Sequence, residues 1–301
     1  MFRIRIAAAA YPLDFLPDWA AYRAKLSDWV ARAAAQGAEL LVFPEYGAME
    51  LASLGGEKVA GDLESALREV MRHEEAVSAL HCDLAAQHGV HILGASAPAD
   101  AGLPRPVNRA TLYGPQGVIG HQDKQIMTRF EREEWDIAPA RGLTLFDTPL
   151  GRLGVIICYD AEFPLLARAL VEAGVEILLA PSCTETLAGY SRVKVGAMAR
   201  ALENQCVVVH APTVGAAEWC PAVDMNSGAA AIYGPPDLGF PPTGILAETP
   251  LDTPGWAVAE IDRATIAEVR SNGAVLNHLH WSEQENRLIT PVKHARPAQS
   301  A

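Results

Sequence analysis

Short apolar, β-rich segments alternate with amphipathic helical ones along most of this chain, and strands joined by helical crossovers make an α/β fold. Arg3–Ala9 reads as a first strand. Over Asp18–Ala35, Trp19, Tyr22, Leu26, Trp29, Val30 and Ala33 recur at helical spacing, with Gly37 as a stop. Glu39–Phe43 follows as a buried strand. The pattern predicts one helix within Leu63–Gln87, strands at Val90–Ala95, Ala110–Tyr113 and Val118–Gln122, and a connecting or functional loop from Lys124 to Gly142. Alternation then resumes: strand Leu153–Ile157, helix Pro164–Ala173, strand Val175–Ala180, helix Arg192–Asn204, strand Cys206–His210. Strands at Ala229–Tyr233, Gly244–Ala247 and Trp256–Glu260 and a short helix at Ile266–Arg270 complete the reading.

No repeat or linker interrupts this series, so residues 1–270 are expected to form one domain. Residues 271–301 are a more polar C-terminal extension, expected to be a subunit-contact arm or a loose tail. Acidic residues exceed basic ones to give a formal charge of −12, which disfavours nucleic acid and anionic lipid as partners. No apolar run approaches the roughly 18 residues of a spanning helix, and Met1-Phe2-Arg3 leads straight into strand-like sequence. A soluble, cytoplasmic protein is expected. Five cysteines without a CxxC pair argue against a disulfide framework and a zinc site.

Three residues stand out because each follows a strand, at the edge where parallel sheets place their sites. Cys158 ends Gly154-Val155-Ile156-Ile157 just before a helix begins, an address for a nucleophilic thiol near free N–H groups or for a small buried hydrophobe. Glu45 closes Leu40-Leu41-Val42-Phe43-Pro44, where partial desolvation raises a carboxyl towards a general base's range; a cap or surface role is the alternative. Lys124 follows another strand and, taken alone, is a solvated charge. Together, acid, cation and thiol supply a base, an oxyanion partner and a nucleophile.

The ordered set Phe43-Pro44-Glu45, Asp123-Lys124 and Ile157-Cys158-Tyr159-Asp160, with Arg200-Ala201-Leu202-Glu203-Asn204 downstream, resembles the nitrilase superfamily of carbon–nitrogen hydrolases from Arg3 to about Asp262. The resemblance implies a four-layer α-β-β-α sandwich, a Glu-Lys-Cys triad without metal or cofactor, and paired subunits in a homodimer or higher oligomer. It implies that Glu45 takes the proton of Cys158, that Lys124 and the N–H of Tyr159 stabilise the oxyanion, and that water hydrolyses the thioester. A second glutamate is expected after the lysine. Glu131, Glu133 and Glu134 compete for it, and Glu131 is preferred because its offset of seven resembles that of several members. Arg200, Glu203 and Asn204 are expected to be structural. Cys183 and Tyr159 are expected to contact substrate, with packing as the alternative for Cys183; Trp219 shapes the pocket rim or packs in a core or interface.

Tyr159-Asp160 with Phe163-Pro164 resembles the amidase, ω-amidase and carbamoylase side rather than the enzymes cleaving true nitriles. The expected reaction is hydrolysis of a small amide; acyl transfer to an amine, nitrile hydrolysis and a non-catalytic binding or scaffold role are the alternatives. Carboxylate-bearing substrates would need cations, for which Arg129, Arg192 and Lys194 are candidates.

Overall fold

In the computed structural model, which describes residues 3–295, the strands fall into two sheets joined at one narrow seam. In the first, Ala97–Ala99 and His91–Leu93 pair with Val107–Gly114, and Leu40–Val42 and then Arg3–Pro12 follow His91–Leu93. Gly117–Asp123 and Gly255–Asp262 add antiparallel strands. The second sheet runs Leu145–Thr148, Gly151–Val155, Ile177–Ser182, Val207–Ala216, Ala231–Tyr233, Ile245–Glu248. The seam is a parallel pairing of Tyr11 and Pro12 with Thr213 and Val214.

The period-2 alternation of strand side chains explains the layering. Ile4, Ile6, Ala8 and Ala10 pack between the sheets against Leu153, Val155, Ile177, Leu179, Val207 and Val209. Their neighbours Ala7, Ala9 and Tyr11 face the helices Trp19–Ala35, Leu63–Arg72 and Glu74–His88. On the far side, Leu178, Ala180 and Val208 pack against Pro164–Glu172 and Leu187–Asn204. The result is the four-layer α-β-β-α sandwich. Asp18 caps the first helix through the N–H of Ala21 (2.9 Å), a contact worth about 1 kcal/mol.

Strand direction brings the candidate residues to one edge. Arg3–Pro12, Leu40–Val42 and His91–Leu93 run parallel, as do Gly151–Val155, Ile177–Ser182 and Val207–Ala216. The seam makes the two sets parallel to each other. Gly117–Asp123 is antiparallel to Val107–Gly114, itself antiparallel to His91–Leu93, so it shares their sense. Glu45, Lys124, Cys158 and Cys183 therefore all emerge at the carboxyl ends of strands pointing the same way.

Several elements differ from the sequence reading. The helix expected within Leu63–Gln87 is two, broken at His73, whose ring N–H donates to Glu69 (3.0 Å) and whose ring stacks on Trp19. Apolar spacing continues across the break, which hides it. The stretch read as a loop after Lys124 contains the helix Arg129–Glu133, too short to display a period. Leu145–Thr148 is an additional strand, and Gly47–Gly55 forms a nine-residue 3-10 helix. The strand before the cysteine ends at Val155, and Cys158–Glu162 is a 3-10 turn.

The C-terminal extension begins inside the helix Arg263–Asn272. Past it, Ala274 N–H donates to Asp237 (2.8 Å), His278 N–H to Gln205 (3.1 Å), and the Arg168 guanidinium lies over the Trp281 ring. From Leu288 the described chain is exposed; its last part, residues 296–301, lies outside the described residues, as do residues 1–2. Among the described residues no helix is long and apolar enough to cross a membrane.

Candidate active site

Cys158 sits at φ +49°, in the left-handed region that a residue with a Cβ rarely occupies. Such strain persists only where the surroundings impose it, and it concentrates at functional positions. Two features impose it here. Asp160 accepts from the N–H groups of Ile157 (3.2 Å), Gln125 (3.2 Å) and Ile126 (2.9 Å), stapling the cysteine turn to the segment after Lys124. The helix Leu187–Asn204 packs directly on the turn at Gly196, where a Cβ would meet the Ala161 carbonyl oxygen at 2.8 Å. Arg200, paired with Glu203 at 2.8 Å, also donates to that oxygen (3.2 Å). Arg200 and Glu203 thus support the turn from behind rather than lining the cleft.

Around the thiol, the other sequence-nominated residues converge. Glu45 is 1% exposed, Lys124 1% and Glu131 2%, and charged groups are buried this fully only when paired. Lys124 Nζ donates to Glu45 Oε1 and to Glu131 Oε2, each at 2.7 Å. Asn108 Nδ2 donates to the same Glu45 Oε1 (2.9 Å), and the Cys183 N–H donates to Oε2 (2.9 Å). The Cys158 thiol reaches the Cys183 carbonyl oxygen at 3.7 Å. The backbone of Cys183 therefore touches both base and thiol, while its side chain donates to Asn226 Oδ1 (3.3 Å) and faces the cleft.

Of the three competing glutamates, Glu131 is the one drawn in; Glu133 and Glu134 are exposed, and Glu133 pairs with Arg129 at 2.7 Å. Thr128 caps the short helix while its N–H and hydroxyl both donate to Glu131 Oε2 (2.8 Å each), and the Tyr46 hydroxyl donates to Oε1 (2.8 Å). Asn108, Tyr46 and Thr128 escaped the sequence reading. An asparagine inside a strand is a mild signal, since asparagine is depleted there, and Thr128-x-x-Glu131 is a capping-box pattern.

Burial pushes the Glu45 carboxyl up to about 7, with Lys124 opposing and Glu131 reinforcing. Glu131 also pays for burial, yet Lys124 and its hydrogen bonds hold it below the ordinary carboxylate value. Burial works against the Lys124 charge too, but the two carboxylates outweigh it and raise its pKa well above normal. Burial, then Glu45, raises the Cys158 thiol well above its usual value, with Lys124 opposing. At rest this is a neutral thiol beside a carboxyl poised near neutrality, the pairing a general base requires.

The cleft has two compartments sharing Thr128, Phe130, Cys183 and Glu185. The inner one, about 170 Å³, is lined by Glu45, Lys124 and Glu131; the outer one, about 520 Å³, by Cys158 and Tyr159. Arg129 and Arg192 line the outer compartment, Lys194 neither. Trp219 is half-buried, edge-on to Phe15. Cys206 and Cys220 are buried and Cys82 half-buried, all outside the cleft. Among the described residues no group of three or more His, Cys, Asp or Glu side chains is arranged to hold a metal ion.

Fold and site together define a four-layer sandwich carrying a buried Glu-Lys-Cys constellation at the carboxyl edge of its sheets. The chain belongs to the carbon–nitrogen hydrolase family, which it matches over residues 5–271. It is 30% identical over 274 residues to a probable hydrolase, YhcX, of Bacillus subtilis, an alignment covering 91% of this chain and spanning about half (53%) of that relative. It is 28% identical over 196 residues to the ω-amidase NIT2 of Danio rerio, covering 60% of this chain and 65% of that one. The carbon–nitrogen hydrolase of Helicobacter pylori G27 shares the fold, with a TM-score of 0.75, 18% identity and 96% of each chain covered.

Proposed function

We propose that the protein hydrolyses the carbon–nitrogen bond of a small amide to a carboxylic acid and ammonia through a thioester on Cys158. The observation that carries this reading is the strained, buried Cys158 held beside Glu45 and Lys124 in one cleft. As the thiol attacks the amide carbon, its proton passes to Glu45 and the C–S bond forms. The carbonyl oxygen becomes an oxyanion, met by the Lys124 ammonium and the Tyr159 N–H. Collapse of this intermediate breaks the C–N bond, and the nitrogen leaves as ammonia with the proton from Glu45. Water, deprotonated by Glu45, then adds to the thioester and releases the acid, returning the proton to sulfur. Two attacks on activated carbonyls replace one on a poor electrophile, and donors fixed in a dry site stabilise the developing charge. Glu131 and Asn108 keep Lys124 and Glu45 in place throughout.

Intact-mass spectrometry of the protein mixed with a short amide tests the covalent step. The expected result is an adduct of the acyl group that maps to Cys158 and is discharged by hydroxylamine. Ammonia release that persists in Cys158→Ala would overturn the reading.

A further inference from the structure

The inner compartment has a charge pattern that the chemistry above leaves unexplained. Four carboxylates line it, Glu45, Glu131, Glu185 and Asp224, against a single cation, Lys124, already bonded to the first two. Glu185 and Asp224 take no part in the proposed proton transfers, and neither is ion-paired with a described residue. The cations that a carboxylate-bearing substrate would need are engaged elsewhere: Arg129 with Glu133 (2.7 Å), Arg192 with Glu162 (3.6 Å) and Lys194 with Glu248 (2.5 Å). An anion entering this space meets net negative charge and no unpaired donor cation, whereas an ammonium or guanidinium exchanges its water for carboxylates.

The volume is of the order of the roughly 150 Å³ cavity that admits benzene in another protein, enough for a short chain ending in such a group. We infer that the preferred substrate is a short aliphatic amide whose far end is cationic, an ω-amino or ω-guanidino amide. Its amide carbon faces Cys158, and its charged end lies in the inner compartment against Asp224 and Glu185. The inference rests on the amide-hydrolase reading for the reaction but makes its own statement about binding.

Calorimetric titration of Cys158→Ala with three ligands of matched length tests it: 5-aminopentanamide, pentanamide and the monoamide of glutaric acid. The amine is expected to bind at least about tenfold more tightly than pentanamide, and the acid most weakly. About 0.5 M salt should narrow the spread. Asp224→Asn, whose side-chain oxygen can still accept from the Met225 N–H (2.8 Å), combined with Glu185→Gln should bring the amine and pentanamide together. Equal binding of all three, preference for the acid, or no binding by any overturns the inference. Ammonia release by the wild type, run in parallel, tests the reaction separately: turnover of pentanamide without a charge preference leaves amide hydrolysis standing and removes only this inference.

Discussion

Replacing Glu45 by glutamine separates what that residue does for chemistry from what it does to stability. Burial moves its carboxyl from 4.5 to about 7. A carboxyl whose folded value lies above its unfolded one favours the native state while protonated. That contribution is complete below about pH 4.5 and is lost as pH rises through 7. Two and a half pH units at about 1.4 kcal/mol each amount to roughly 3 kcal/mol. Glutamine cannot ionise, so the variant escapes this loss. It carries a constant penalty instead, because Lys124, Asn108 and the Cys183 N–H all donate to the carboxylate. One amide oxygen cannot serve them all, and an unpaired buried donor costs about 1–3 kcal/mol at any pH. Glu131, held below its ordinary value, titrates under this window, and Asp160, pushed up to about 6 by burial, is present in both proteins. Urea unfolding followed by tryptophan fluorescence from about pH 4.5 to 7.5 is the assay. The stability of Glu45→Gln relative to wild type should rise by roughly 3 kcal/mol across that range, while its ammonia release collapses. Parallel stability profiles would refute the reasoning.

Because Glu45 must be ionised to accept the thiol proton, kcat/KM for an uncharged amide should climb with pH through about 7; a profile flat across neutrality contradicts this. Lys124→Met leaves two buried carboxylates without their cation and should cost about 3–5 kcal/mol in chemical denaturation at neutral pH. Part of that loss should return on acidification as those carboxylates protonate. Asn108→Ala removes a donor to the ionised form of Glu45, so about 1.5–3 kcal/mol of stability is lost. The rising limb of its pH profile should move to higher pH; an unmoved limb would make Asn108 merely structural.

The reading of the sequence reached the α/β class because short apolar runs such as Leu40–Val42 and Ile177–Leu179, as buried strands require, alternate with amphipathic helical segments. Glu45, Lys124 and Cys158 were legible because each lies within three residues of the end of its strand, and shared strand direction turns that position into proximity. Asn108 was not, since its side chain crosses from a different strand to reach Glu45 and its only local mark is the mild one of an asparagine within a strand. The Thr128–Glu131 cap lay hidden in a helix of five residues, shorter than two helical turns. Glu185 and Asp224 sit in loops after separate strands, and only the folded chain brings them to one cavity. The break at His73 was invisible because the heptad-like apolar spacing on either side happens to stay in phase.

Ammonia release from a panel of aliphatic amides, ω-amides, N-carbamoyl amino acids and nitriles, compared between wild type and Cys158→Ala, tests the central claim most directly. Release from at least one amide that vanishes in the variant, with the variant's unfolding curve retained, is the predicted result. Release that survives loss of the sulfur, or a folded wild type silent across the whole panel, would contradict it.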